Sequence, residues 1–328
     1  MDAPTSAPSL PSGLILQPAT PTDTPRLAAF LTAAHPDSPT HPGDLERLDA
    51  GRLEGEPFVR TLALRGGEVV GLAETRVPQM DGHPGWLDVR VRTLPDLAGG
   101  PLAEALLAHA EAAALQHGAH TLVARVREDW WEKPFLEARG YREHDRMWPS
   151  TLDLRTLDFA RFAGQQARAQ AAGIRTLPLS ELVGNFDEAA QRRLYALIAA
   201  LLLDVPSTTQ VSVWPFEVWQ RRVSGRINPE GEFIAVAPDG EWVGVSELHQ
   251  PIPARPGTLH NGLTGVLPAW RGHGVASALK LAAARAALKR GFTHSRTSNH
   301  SVNRPMLALN ERLGFVREAA IVTLTRGL

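Results

Sequence analysis

The sequence predicts an α/β protein made of two copies of one domain, each a mixed, mostly antiparallel sheet flanked by helices. Three observations carry this. The chain has 328 residues, more than one ordinary domain needs and suited to two. It also repeats itself. Glu68-Val69-Val70-Gly71 recurs as Glu241-Trp242-Val243-Gly244, and Leu94-Pro95 recurs as Leu267-Pro268, both at an offset of 173. Arg139-Gly140-Tyr141 recurs as Leu313-Gly314-Phe315 at an offset of 174. A spacing held over that length is too long for a solenoid unit and fits a duplicated domain. Finally, both copies show the same order of strands and helices, with hairpins early and a long Ala/Leu helix late.

In the first copy, Leu14 to Gln17 reads as a strand. Thr22 to Ala34 reads as a helix, with a polar cap and a proline in its first turn. Phe58 to Leu64 and Val69 to Val77 form a hairpin around Arg65-Gly66-Gly67. Trp86 to Val91 is a strand, Pro101 to His117 a helix closed by Gly118, and Thr121 to Val126 a strand. The second copy gives the segments 174–179, 187–203, 216–223, 233–237, 242–248, 259–266, 274–290 and 293–297, with Gly291 closing its long helix. Ser150 to Leu157 reads as the closing strand of the first domain. The expected organisation is a loose Pro/Ser-containing tail over 1–13, a first domain over 14–158, a helical linker over 159–172 and a second domain over 173–328.

Composition removes several classes of function. Net charge is -1, which gives no electrostatic case for nucleic acid. There is no Cys, hence no disulfide, thiolate metal ligand or Cys nucleophile. No apolar run approaches the roughly 18 residues of a membrane span. The N-terminal stretch lacks the basic and apolar regions of a signal peptide. No metal-ligand spacing appears among the 12 His, and there is no Gly-x-Ser-x-Gly elbow. The expectation is a cytoplasmic protein, monomer or homodimer, with a small-molecule partner, no metal, no nucleic acid and no membrane.

The most informative segment runs from Leu263 to Ala276. It reads as a strand end, a tight turn at Arg271-Gly272-His273-Gly274, and the start of a helix at Val275-Ala276. Glycines let backbone approach a ligand, a helix start offers unpaired N–H groups to an anion, and an arginine suits a phosphate. The third glycine of a dinucleotide fingerprint is absent, since position 277 is Ser277, and no Gly-Lys-Ser/Thr follows. What is present is Arg-x-x-Gly-x-Ala. Downstream lie Asn299, Asn303, Met306 and Asn310, whose spacing is roughly helical and would set them along one side of a short helix, followed by Leu313-Gly314-Phe315.

Together these blocks resemble the GNAT N-acetyltransferase superfamily, in a tandem two-domain form. The resemblance implies that Arg271 to Ala276 hold the pyrophosphate of acetyl-CoA as cosubstrate. It also implies that the backbone at Thr264 and Val266 meets the thioester carbonyl and the pantetheine arm, with amides from Asn299, Asn303 and Asn310 beside them. The reaction implied is transfer of an acyl group from acyl-CoA to a primary amine, carried out in the second domain. The tyrosine the family often has four residues before the Gly of Leu-Gly-Phe is replaced here by Asn310, which cannot serve as a proton donor. Candidate bases are Glu247 and His260, each equally readable as an ordinary sheet residue, with His249 behind them. Asp204-Val205-Pro206 either line the acceptor cleft or simply end a helix. The alternative to an enzyme is a non-catalytic acyl-CoA-binding sensor.

The copies are not equivalent. On the Leu-Pro alignment, Arg271 corresponds to Ala98, Gly272 to Gly99, His273 to Gly100 and Gly274 to Pro101, which has no N–H. Asn299, Asn303 and Asn310 correspond to Arg125, Asp129 and Leu136. The first domain is therefore expected to be a scaffold that does not bind CoA in the usual way.

Overall fold

The computed structural model describes residues 10–78, 83–206 and 212–328, with the side chains of 249 and 250 outside that description. The chain divides into two compact units, Met1–Arg146 with Ala319–Leu328, and Met147–Glu318.

In the first unit, β1 (Leu14–Pro18) is followed by α1 (Thr24–Ala34) and α2 (Pro42–Ala50). A capping box at Thr20 and Asp23 starts the first of these helices, as the polar run before it predicts. No element is legible in the sequence where α2 lies. Then come β2 (Phe58–Arg65), β3 (Glu68–Arg76), β4 (Trp86–Thr93), α3 (Pro101–Gln116), β5 (Thr121–Arg127) and α4 (Glu132–Glu137). Strands β1 to β4 pair antiparallel in sequence order. β4 and β5 pair parallel, but only over Trp86–Asp88 and Thr121–Val123.

β6 (Arg142–Asp153) crosses from one unit into the other. The second unit continues with α5 (Ala163–Ala171), β7 (Arg175–Pro178), α6 (Leu179–Leu182), α7 (Glu188–Leu202) and α8 (Phe216–Arg222). β8 (Glu232–Val236), β9 (Trp242–Pro251), β10 (Thr258–Val266), α9 (Val275–Lys289), β11 (His294–His300), α10 (Arg304–Leu313) and the short β12 (Val316–Arg317) complete it. β13 (Ile321–Gly327) returns to the first unit. One face of the second sheet packs α7 through Leu194, Leu197, Ile198 and Leu201 against Ile234 and Val245. The other packs Val275, Leu279 and Ala283 of α9 against Phe233, Ala235 and Val266.

The closing strands are exchanged. Residues Met147–Asp153 of β6 pair antiparallel with β11, in the second unit's sheet, and so do not close the first domain as their position in the sequence suggests. β13 pairs antiparallel with all of β5, in the first unit's sheet. β13 sets Val322 and Leu324 on one face, while Met147–Asp153 shows no clean alternation, so hydrophobic pattern assigns neither strand to a sheet. The segment expected to be a linker is instead a packed part of the second unit. Phe162 joins the core around Leu248 and Leu281, and Ala169 of α5 joins the core around α9.

Removing Ala319–Leu328 is therefore expected to damage the first unit, not the repeat the segment belongs to in sequence. It would strip Val322 and Leu324, both 0% exposed, from that sheet, at about 2 kcal/mol for each side chain. Amide hydrogen exchange is the measurement. Amides of β5 should lose protection while those of α9 keep theirs; equal protection in β5 with and without the segment would refute the assignment.

Candidate functional site

The second unit's site begins where two parallel strands part. β10 pairs with β11 only over Thr258–His260 against His294–Arg296. Beyond His260, β10 stays with β9 while β11 stays with β6. The Leu267 N–H donates to Val243 O at 2.8 Å, toward β9. Backbone direction alternates along a strand, so the N–H groups of Val266 and Thr264 point the other way, into the open edge.

β10 is also bulged. Asn261 pairs with Leu248 and Thr264 with Ser246, so Gly262 and Leu263 together face the single residue Glu247. The Glu247 carboxylate fills the irregularity, its Oε2 accepting the Leu263 N–H at 2.7 Å. Glu247 is 8% exposed and lies directly across from Glu232, which is 0% exposed. Burial, then the charge of Glu247, push the Glu232 carboxyl well above the usual carboxylate range, so it favours its protonated form. His260 is half-buried and sits opposite Arg296, at the last paired position before the strands separate.

Next along the chain is the turn. Gly272 and Gly274 both have left-handed backbone, at φ 81° and 78°. Gly274 is the N-cap of α9 and has no side chain to cap it, and among the described residues the first-turn N–H groups meet no acceptor. A Cβ at Gly274 would come within 2.2 Å of the Gln165 carbonyl, so α5 braces the turn from behind. Around Gly272 there is open space. Val275 is buried in the α9 core and Ala276 half-buried. Arg271 donates from Nε to Val266 O at 3.0 Å and forms an ion pair with Asp204, just past the end of α7. His273 is exposed and touches the edge of Trp270.

The three asparagines do not share one side of a helix. Asn299 lies on β11, and Asn303 is the N-cap of α10, its Oδ1 accepting the Met306 N–H at 3.3 Å. Asn310 lies within α10, is buried, and donates from Nδ2 to Asn299 Oδ1 at 2.6 Å. Its own Oδ1 is buried and meets no hydrogen-bond donor among the described residues. Residues Asn299 and Asn310 thus span the gap between β11 and α10, while the helical spacing read from the sequence reflects a strand, a cap and a helix in succession.

The first unit has the same parting of strands with different contents. Gly99 keeps the left-handed backbone of Gly272, at φ 67°, but the helix start at the counterpart of Gly274 is Pro101, the first residue of α3. Past the parting, Arg92 lies 3.3 Å from Glu132, whose Oε1 is 2.7 Å from Nε2 of His35, itself stacked on Trp130. The counterpart of Glu247 is Glu74, and where Glu247 faces Glu232, Glu74 faces Arg60, with Nε to Oε2 at 2.6 Å. Burial opposes the charge on Glu74, but Arg60, Arg90 and Arg76 outweigh it and hold the carboxyl below its ordinary value. Sequence reading missed Glu232, Asn261 and this cluster. The offset that aligns Glu74 with Glu247 was the available signal, because an arginine stands across from one and a carboxyl across from the other.

The family model for acetyltransferases of the GNAT type matches residues 25–133 and 198–315. A GCN5-related N-acetyltransferase from Sphaerobacter thermophilus is similar in structure at a TM-score of 0.73, with 21% identity over 97% of each chain. A tandem GNAT protein from the clavulanic acid biosynthesis pathway also gives 0.73, with 20% identity over 96% of this chain and 98% of that one. A glucosamine N-acetyltransferase region of a fungal multi-domain β-N-acetylglucosaminidase gives 0.69 at 16% identity, covering 97% of this chain and 38% of that one. At these identities the likeness is one of fold. No curated protein matches the sequence. Among the described residues no helix is long and apolar enough to cross a membrane.

The Glu232 carboxyl gives a test by pH. A carboxyl whose pKa is raised on folding releases its proton first from the unfolded chain, so stability falls as pH climbs above the ordinary carboxyl value of about 4.3. Wild type should lose stability relative to Glu232→Gln as pH rises above the ordinary carboxyl value of about 4.3, read as urea midpoints. Parallel midpoints for the two proteins would show that Glu232 titrates as an ordinary carboxyl.

Proposed function

Because the chain belongs to the acetyltransferase (GNAT) family, we propose that its second unit transfers an acetyl group from acetyl-CoA to a primary amine of a small molecule or peptide. One observation carries this reading. The open edge of β10 and the uncapped, arginine-flanked start of α9 are adjacent in the chain, and in the first unit the counterpart turn lacks both the arginine and the N–H. The first unit then acts as scaffold.

The residues fit the cosubstrate. The N–H groups from Gly272 to Ala276, with Arg271, suit a pyrophosphate, and binding would exchange the exposed Asp204 carboxylate for phosphate oxygens. An exposed ion pair of that kind is worth little and is readily displaced. Bound acetyl-CoA supplies an activated acyl thioester. The Thr264 and Val266 N–H groups face the side where its carbonyl oxygen and pantetheine arm would lie, which is stabilisation of oxyanion type. The amine nitrogen forms the new bond to the acyl carbon as the carbon–sulfur bond breaks. Glu247 is the base for the ammonium proton, directly or through a water, with His260 as the second candidate on the same strand pair.

No tyrosine stands ready to protonate the leaving thiolate. Tyr141 is 0% exposed and donates its hydroxyl to Glu111, and Tyr195 donates to Trp214 O. Asn310 holds the Asn299 carbonyl from within α10, which leaves the amide donors of half-buried Asn299 to suit the sulfur. Water then supplies the proton. The missing tyrosine is also what favours the second reading, a sensor that binds acyl-CoA without turnover.

Titration calorimetry with CoA and a thiol-release assay across an amine panel separate the two. Arg271→Ala should weaken CoA binding roughly 10-fold or more, in line with the loss of about 1.5–3 kcal/mol from a charged hydrogen bond. Gly274→Pro should abolish it. Glu247→Gln should cut turnover while leaving CoA affinity within about twofold. Normal CoA binding after both loop changes would remove the proposed cosubstrate site. Tight CoA binding with no amine-dependent thiol release would favour the sensor.

A further inference from the structure

Lys280 is a buried cation that the chemistry above does not use. It lies in the second turn of α9, is 6% exposed, and donates from Nζ to Asn261 Oδ1 at 2.5 Å. Among the described residues no carboxylate forms an ion pair with it. Its other neighbours include Phe315, whose ring centroid is 5.2 Å from Nζ, and a small cavity of about 10 Å³, the room of roughly one water, beside Ser295 and Leu248. Burial pushes its pKa down to about 7. A lysine kept at that cost in an apolar core needs a reason, because a methionine would fill the space with no charge to desolvate.

The reason lies in what Asn261 does with its other end. Its Nδ2 donates to Glu247 O at 2.7 Å and to Ser246 Oγ at 3.3 Å. Ser246 Oγ is 2.9 Å from Thr264 Oγ1. Asn261 and Thr264 are the residues on either side of the Gly262–Leu263 bulge; Glu247 lies opposite it and Ser246 opposite Thr264. A single chain of hydrogen bonds therefore runs from the helix that begins at the phosphate turn to both ends of the bulge. An asparagine amide could flip in this setting. The ammonium group, which has only donors, fixes Oδ1 toward α9 and Nδ2 toward the strand.

We propose that Lys280 is a positioning residue: acting through Asn261, it holds the β10 bulge, and with it the Leu263 N–H that orients the Glu247 carboxylate and the Thr264 N–H at the open edge. The catalytic half of this rests on the reading that the second unit transfers acetyl groups; the structural half does not.

The test is Lys280→Met, which keeps an unbranched apolar stem and deletes the ammonium group. Amide exchange of Leu263, whose N–H is held by Glu247, should speed up at least 10-fold, with amides in the middle of α9 unchanged. Turnover should fall about 10-fold with CoA affinity within twofold, a split that a general loss of packing would not give. Asn261→Ala should reproduce both effects, and the double variant should be no worse than either single one. That variant also serves as the test if Lys280→Met does not fold. Unchanged exchange at Leu263 in both variants would overturn the proposal. Faster exchange in a protein whose wild type releases no thiol with any amine would leave Lys280 as the holder of the bulge and count against acetyl transfer alone.

Discussion

Backbone N–H and C=O groups must find partners, and the second unit is organised around one place where a strand gives up half of its own. β10 leaves β11 after three paired residues. From that point no strand among the described residues pairs with its outer edge, and each adjustment nearby answers that loss. The bulge at Gly262–Leu263 releases β10 from strict register, and Glu247 takes the N–H that the bulge orphans. Farther on, the carbonyl of Val266 is met by Arg271 from the following turn. What stays unpaired, at Thr264, Val266 and the start of α9, lies along one contiguous path. A long acyl carrier with amides along its arm and phosphates at its end is the kind of molecule such a path matches.

The two repeats show the same opening put to different ends. In the first, strands also part early, but Arg92, Glu132 and His35 fill the region with one another. Burial, helped by nearby guanidinium charges, pushes Arg90 down to about 9, a sign of how crowded with like charge that face is. Buried ion pairs seldom add much net stability, since desolvation offsets attraction. Replacing the arginine across from one glutamate with a carboxyl across from the other separates a structural residue from a candidate base, with nearly the same backbone beneath both.

Much of this was legible in the chain itself. The repeat offset announced two domains, and the order of strands and helices followed in both. Arg271 to Ala276 folded as a turn and helix start because glycine and proline chemistry is local. What stayed hidden depended on contacts far apart in sequence. Nothing in Met147–Asp153 or Ile321–Gly327 says which sheet they join, because their partners lie far away in the sequence and neither apolar pattern names them. Lys280 sits in a helix of alanines and leucines, where its neighbours suggest a solvated face; only the fold turns it inward to Asn261. Asn303, which the resemblance implied lies beside the carrier, also caps α10, a use of asparagine that the sequence did not single out.

The exchange of closing strands also has a meaning in time. β5 is complete at Arg127, but the strand that lies beside it starts at Ile321, about 190 residues later. At ordinary rates of protein synthesis that is a wait of roughly 10–40 s. Throughout it, the first unit carries an open sheet edge, a surface that invites any other extended chain. Helices placed early in that unit can pack at once, yet its sheet is finished only when almost all of the second repeat has been made. A ribosome emitting this protein therefore holds a half-built first domain for most of the journey, and its safety rests on whatever guards that edge in the meantime.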